Sequence, residues 1–171
     1  MATIVERGIS SFVLWQSGVS GSSSPALVIG TFLAGNPPVI ANRRVLALLP
    51  NLLERDLWEL SIEAAGLEDG VYHYWFEVET NLPGESGPLH VPDPFAKVLD
   101  HRVLSTPGNL PASVVKISQG SAVQCDPEGN ELTLLAPVLA RLPDNHESGV
   151  HAVSSSWICE TLEQEAAAVG H

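Results

Sequence analysis

The chain has 171 residues, enough for one ordinary domain with its own hydrophobic core but too few for two domains of full size. Its 20 acidic residues against 8 basic ones give a formal net charge of −12, which would repel a nucleic-acid backbone and argues against polyanion binding. The 14 Gly and 13 Pro residues favour many short strands joined by turns, and therefore an all-β fold.

The N-terminal residues contain Glu6 and Arg7 and lack the continuous apolar run of a secretory signal. No apolar stretch approaches the roughly 20 residues that are needed to cross a bilayer. The sequence therefore predicts a soluble chain without a membrane partner, and a cytoplasmic location is favoured.

Metal-binding and disulfide patterns are missing from the sequence. Cys125 and Cys159 lie far apart without a CxxC motif, which predicts two free thiols. The six His residues show neither the HxH nor the HExxH spacing of metal sites. We therefore predict no metal site and no cofactor.

The first predicted strand, residues 9–16, places Phe12 and Leu14 on one face and Val13 and Trp15 on the other. Trp15 is expected in the core, as large aromatic residues usually are. Further strands are predicted, in chain order, at 26–33, 43–49, 57–63, 71–79, 89–91 and within 95–104; the segment 43–49 also has helix character, and a strand is favoured there. About seven short strands at this spacing are typical of an immunoglobulin-like (early-set) β-sandwich.

The run VYHYWFEV, residues 71–78, carries the clearest two-residue alternation in the chain. One face would be a core face; its members are Tyr72, Tyr74, Phe76 and Val78. In the preceding strand, Trp58, Leu60 and Ile62 would point inward. The Asp69-Gly70 turn between the two strands is a hairpin signal, which predicts that residues 57–63 and 71–79 pair with each other.

The opposite face of this run holds the candidate binding residues. Trp75 lies between two polar side chains, His73 and Glu77, so its indole could stack on a pyranose ring while they reach hydroxyl groups. Alternatively, another strand or domain covers this face, which is the commoner situation for a large aromatic residue. No catalytic residue is predicted.

The composition of the sequence changes after Ser105, where Pro and Gly residues indicate a domain boundary. We therefore predict a sandwich over residues 1–105 and a β-rich C-terminal appendix over residues 106–171. The appendix would contain strands at 114–124 and 131–135 around an Asp126–Gly129 turn, and a helix-prone end at 162–169.

Four segments in this order, SFVLW, ALVIGTF, LWELSIEAAGLEDGVYHYWFEV and VPDPFAKVLD, resemble carbohydrate-binding module family 48. This is the N-terminal module of α-amylase-superfamily (glycoside hydrolase family 13) enzymes such as pullulanases, isoamylases and glycogen-branching enzymes. The resemblance covers about residues 9–104. The family's patterned strands correspond to Leu27–Phe32 and Gly70–Val78, and its D-P-Y-A turn to Asp93–Ala96.

The resemblance implies a non-catalytic accessory module that binds glycogen- or starch-like α-glucan chains or packs against a catalytic barrel. Glycogen-binding members place stacking aromatic residues just after these two strands. Here Ala34–Pro37 and Thr80–Pro88 contain no aromatic residue. Trp75 is thus the remaining candidate on the expected surface.

Residues 145–157 (NHESGVHAVSSSW) have a distant likeness to the segment that leads into the first barrel strand of family 13 enzymes. This likeness implies that the chain is a fragment of a glycoside hydrolase, and that the acids that cleave or transfer glycosidic bonds lie outside it. An edge strand left uncovered by a missing barrel would be compatible with a homodimer. The alternative hypothesis is a protein-interaction β-sandwich without sugar binding.

Overall fold

The computed structural model describes residues 4–16, 24–79, 87–105 and 108–132. The chain divides into two compact units, Met1–Leu132 and Thr133–His171, and the described residues all belong to the first. Four sequence predictions lie wholly or mainly outside the described residues: the thiol of Cys159, most of the strand at 131–135, the segment at 145–157 and the helix at 162–169.

Ten strands and two one-turn helices make up the described part of the chain. The helices are α1 (Ile4–Arg7) and α2 (Ile62–Ala65). The strands are β1 (Ser11–Trp15), β2 (Ala26–Leu33), β3 (Val39–Ala47), β4 (Leu49–Pro50), β5 (Leu57–Ser61), β6 (Gly70–Glu79), β7 (Pro88–Val91), β8 (Leu99–Leu104), β9 (Pro111–Ser118) and β10 (Ser121–Val123). The predicted all-β class is confirmed.

The strands form two antiparallel sheets. The small sheet has the order β1-β5-β4. The large sheet has the order β10-β9-β6-β2-β3, with β7 also paired to β6 and β8 to β9. The 10-residue β6 is central because β2 pairs with one edge while β9 and β7 share the other.

Residues of both sheets meet in the main hydrophobic core. Its buried members are Phe12, Leu14, Leu27, Ile29, Leu48, Leu60, Ile62, Ala65, Tyr74, Phe76, Val115 and Ile117. Tyr72 and Val78 pack against this cluster, which confirms the predicted core face of β6. Trp58 also packs against it, as expected.

The predicted hairpin between residues 57–63 and 71–79 is wrong. β5 pairs with β1 and β4, whereas β6 belongs to the large sheet. The chain leaves β5 through α2, where the Ser61 hydroxyl accepts a hydrogen bond from Ala64 N at 3.0 Å. Gly66 ends the helix in the left-handed conformation, with φ 59°. Helix α2 changes the direction of the chain between the two strands, so β6 pairs in the large sheet and not with β5.

Two further predicted strands need correction. β3 begins at Val39, four residues before the predicted start at 43. The segment 114–124 is two strands, β9 and β10, because Gln119 and Gly120 form a tight turn with φ 51° and 73°. By contrast, β2 spans the predicted residues, and its buried Leu27–Gly30 segment fits the expected burial on both faces.

The predicted domain boundary at residue 105 does not match the structure. β9, which follows residue 105, pairs with β6 on one side and with β8 and β10 on the other. Its Ala112, Val114, Val115 and Ile117 side chains are buried. The compact unit therefore extends to Leu132, and residues 108–132 belong to it rather than to an appendix.

Candidate functional site

The predicted residues His73, Trp75 and Glu77 do share one face of β6, but they do not form an exposed platform. The Trp75 side chain is only 3% exposed and packs with Val28, Val103 and Ala112. Its indole N–H donates to the Pro111 carbonyl at 3.0 Å. Of the two alternatives for this face, the structure shows the one in which other strands cover it, because Val103 of β8 and Ala112 of β9 pack against Trp75.

A histidine occupies the stacking face that a sugar would use. The His90 ring, on β7, lies nearly parallel to the Trp75 indole, with ring centroids 5.8 Å apart and an interplanar angle of 16°. His90 Nε2 lies 3.4 Å from Glu77 Oε2 and 3.4 Å from Arg43 Nη2. Glu77 thus contacts a neighbouring side chain and is the most exposed of the three predicted residues.

His73 is fully buried and anchors a polar network across the large sheet. Its Nε2 lies 2.9 Å from Asp100 Oδ2, and its ring stacks on Phe32 with centroids 5.3 Å apart. Asp100 also accepts from the backbone N–H and the guanidinium of Arg102. Arg102 then reaches Glu128 Oε1 at 2.7 Å and lies over the Phe32 ring, 4.5 Å from its centroid.

Asp100 remains ionised in spite of its burial. Desolvation opposes its charge, but the hydrogen bonds from Arg102 and His73 together outweigh that effect and hold its pKa well below the usual range. The network joins β6, β8 and the turn at residue 128. We interpret it as a structural clasp between elements, since Asp100 pairs with both His73 and Arg102 and Arg102 pairs with Glu128, whereas His73 Nδ1 is buried without a hydrogen-bond partner among the described residues.

Two aromatic residues outside the predicted site, Trp15 and Phe95, are about half-exposed in the described part of the chain. Trp15 is 50% exposed, so the expectation that it lies in the core is wrong. It sits at the end of β1 on the face opposite Phe12 and Leu14. The alternation of the strand indicated this face, but only the structure shows that nothing described covers it.

A second group of polar residues gathers where the Asp93–Ala96 turn meets β6. The Tyr74 hydroxyl donates to Asp93 Oδ2 at 2.7 Å, and Asp93 Oδ1 accepts from Phe95 N at 2.8 Å. The Ser113 hydroxyl accepts from Asp93 N at 2.8 Å. Sequence reasoning identified the Asp-Pro turn but missed Ser113, because the contact depends on β9 pairing with β6.

This turn closes one side of a mainly apolar cavity of about 290 Å³, here called the Asp93 pocket. Its wall residues include Phe12, Tyr74, Asp93, Val98, Val115 and Cys125. Burial, more than the adjacent Asp93 carboxylate, raises the pKa of the Tyr74 hydroxyl. Burial likewise raises the pKa of Asp93, against the opposing effect of its two hydrogen bonds. Cys125 is a buried free thiol whose pKa is also raised by burial, as expected for an unreactive cysteine.

A separate surface feature is an exposed segment, Leu49–Leu53, here called the leucine loop, which begins in strand β4 at the edge of the small sheet. Leu52 is 97% exposed and Leu53 84% exposed. Asn51 fixes the loop: its Oδ1 accepts from Leu53 N and Glu54 N, and its Nδ2 donates to Glu59 at 2.9 Å. The leucines are therefore held outward on an ordered turn.

Within the described ranges, no helix is long and apolar enough to cross a membrane. Nor do these ranges contain a group of three or more His, Cys, Asp or Glu side chains that could hold a metal ion. No protein-family model, no curated protein and no solved structure matches the chain.

Proposed function

We propose that the chain is a non-catalytic accessory module of the family 48 type, with an immunoglobulin-like (early-set) β-sandwich fold, from an α-glucan-active enzyme of glycoside hydrolase family 13. In this proposal it serves the enzyme by packing against the catalytic barrel, and the acids of the reaction lie in that barrel. The module itself has no catalytic residue.

The fold part of the proposal is supported by the shared core of the two sheets. Phe12 and Leu60 of the small sheet and Leu27 and Phe76 of the large sheet belong to one buried cluster. Two antiparallel sheets that contribute their inner faces to a common core are the arrangement expected of a sandwich.

The proposed relationship to family 48 is supported by a contact between two of the segments that resemble it. Tyr74 belongs to the strand motif and Asp93 to the D-P-F-A turn, and the 2.7 Å hydrogen bond joins them. This hydrogen bond holds the Asp93 turn against β6. It therefore gives a physical reason for the strand motif and the turn motif to occur in the same sequence.

One observation carries the choice of packing over sugar binding: the leucine loop is displayed while Trp75 is buried. Exposed leucines on an ordered loop gain free energy by leaving water against another apolar surface, which suits a protein contact. Stacking on a sugar requires an accessible ring face, and His90 already lies on that of Trp75.

The experiment co-expresses the chain with the barrel domain encoded in its native gene and measures the complex by size-exclusion chromatography with light scattering. We expect a one-to-one complex that Leu52→Asp combined with Leu53→Asp weakens by at least about tenfold, because charge replaces apolar contact. Val45→Asp, an exposed apolar position on β3, is the matched control and should leave the complex intact.

A native gene without a barrel domain, or a complex that is insensitive to the leucine substitutions, would overturn the packing role. Affinity electrophoresis in glycogen and amylopectin tests the sugar-binding form. If either polymer slows the chain and Trp15→Ala abolishes the slowing, sugar binding through Trp15 replaces packing as the function. Specific association with a protein other than such an enzyme would favour the interaction-module hypothesis.

A further inference from the structure

The Asp93 pocket combines two features that point to a ligand beyond the proposed packing role. It is a cavity of about 290 Å³ near the lower end of the size range of small-molecule sites, with mostly apolar walls. One acidic residue, the half-buried Asp93, is among the residues that line it.

The charge of this carboxylate is unmatched by any cation in the described part of the chain. Its two hydrogen-bond donors, the Tyr74 hydroxyl and Phe95 N–H, are neutral. Lys97 also lines the cavity, but its side chain is exposed and no ion pair joins it to Asp93. A nearby positive charge stabilises a carboxylate that is partly withdrawn from water, because desolvation of the charged group is costly.

Two other acids of the same unit, the buried Asp100 and the half-buried Glu59, do have cationic partners. Asp100 is paired with Arg102 at 2.8 Å, and Glu59 with Arg7 at 3.3 Å. Each oxygen of Asp93 accepts one hydrogen bond and keeps a further lone pair for another donor. The pocket therefore offers an anionic acceptor at the side of an apolar cavity.

We propose that the Asp93 pocket binds a small organic cation, an ammonium group on an apolar aliphatic or aromatic body. The ammonium would donate to Asp93, and the body would lie against Phe12, Val98 and Val115. A neutral molecule of the same shape would gain the apolar contacts but would leave the carboxylate unpaired.

The test titrates the full chain with 4-phenylbutylamine and with its neutral isostere 4-phenylbutan-1-ol, by calorimetry and by amide NMR. We expect the amine to bind at least about tenfold more tightly than the alcohol. Asp93→Asn should reduce amine affinity by about tenfold and leave alcohol affinity unchanged, because an Asn side chain can still accept from Phe95 N while carrying no charge.

The chain offers a matched control in its second Asp-Pro turn. Asp126 precedes Pro127, is half-buried like Asp93 and accepts from Glu128 N at 3.0 Å, as Asp93 accepts from Phe95 N, but it does not line the pocket. Asp126→Asn should leave both affinities unchanged. An equal loss in the two variants would show only a general attraction of cations to a chain of net charge −12 and would overturn the proposal.

Equal affinity of the wild type for amine and alcohol, or no binding of either, would also overturn it. If Asp93→Asn does not fold, Val98→Trp provides the second variant because Val98 lines the cavity. Loss of amine binding in Val98→Trp, together with the amine preference of the wild type, supports the site. Amine binding that persists with the cavity filled places the cation elsewhere and refutes the proposal.

Discussion

Two Asp-Pro turns show how environment decides the chemistry of one residue type. Asp93 and Asp126 both precede proline, and both accept a hydrogen bond from the backbone two residues later. Burial beside an apolar cavity raises the pKa of Asp93. Hydrogen bonds from the side chain and backbone of Asn130 lower the pKa of Asp126, against a smaller opposing effect of desolvation. The local motif is the same, but the two pKa values shift in opposite directions, because desolvation dominates at Asp93 and hydrogen bonding dominates at Asp126.

A third acid, Asp100, is the residue whose charge we expect to matter most for stability. Asp100→Asn should lower the free energy of unfolding by about 2 kcal/mol at neutral pH, less than for a fully buried pair because solvent screens the half-exposed Arg102. The folded-state pKa of Asp100 is lowered, so its contribution is present above the usual aspartate pKa and is lost as pH falls. Urea unfolding near neutrality and near pH 3 measures both effects.

Glu128→Gln is the control for this substitution, since Glu128 pairs with the same Arg102 from an exposed position. It should change the free energy of unfolding by no more than about 0.5 kcal/mol. Equal effects of the two variants, or a loss in Asp100→Asn that grows toward acid pH, would contradict the role assigned to the buried network.

At the scale of elements, β2 and β6 were predictable because each carries a local pattern strong enough to define a strand. Their pairing partners were not predictable. Asp69-Gly70 is a hairpin signal, yet Asp69 Oδ1 instead accepts from Gln119 N at 2.8 Å, at the turn between β9 and β10. The Ser61 cap and Gly66 were the available signals for α2, and they separate β5 from β6.

The contact between β2 and β3 gives a prediction at this scale. The register shifts around Gly30, where a Cβ atom would lie 2.5 Å from both the Ala41 carbonyl oxygen and Ile40 Cγ2. Gly30→Ala should therefore lower the free energy of unfolding by about 2 to 3 kcal/mol, because backbone must shift to admit the methyl group. Thermal and urea unfolding measure the change.

Gly70→Ala is the matched control in a neighbouring strand. A Cβ atom at Gly70 would meet only the Tyr72 ring, at ordinary contact distances of 3.7 Å and more. This variant should be close to the wild type in stability. Comparable losses in the two alanine variants would show that β propensity rather than the close strand approach dominates.

At the scale of the whole molecule, the position of β9 decides which piece of the chain can fold. A chain ending at residue 132 keeps all ten strands, and we expect it to unfold in one cooperative transition. A chain ending at residue 105 loses β9 and the buried side chains that β9 adds beside β6, and we expect it not to fold. Circular dichroism with thermal unfolding compares the two chains.

Cooperative unfolding of the 105-residue chain would restore the boundary that the sequence predicted. Failure of the 132-residue chain to fold, with the full chain folded, would show that residues beyond Leu132 are needed for stability.

The sequence by itself determined the β class, the bounds of β2 and the two faces of β6, because alternation and apolar runs are properties of neighbouring residues. It also located the Asp93 turn. Only the tertiary structure decided that Trp75 is covered, that Trp15 is half-exposed and that Tyr74 reaches Asp93. The face of the sheet on which a side chain lies follows from its position in its own strand. Whether that face meets water, and which charge is left without a partner, depends on strands that are distant in the chain.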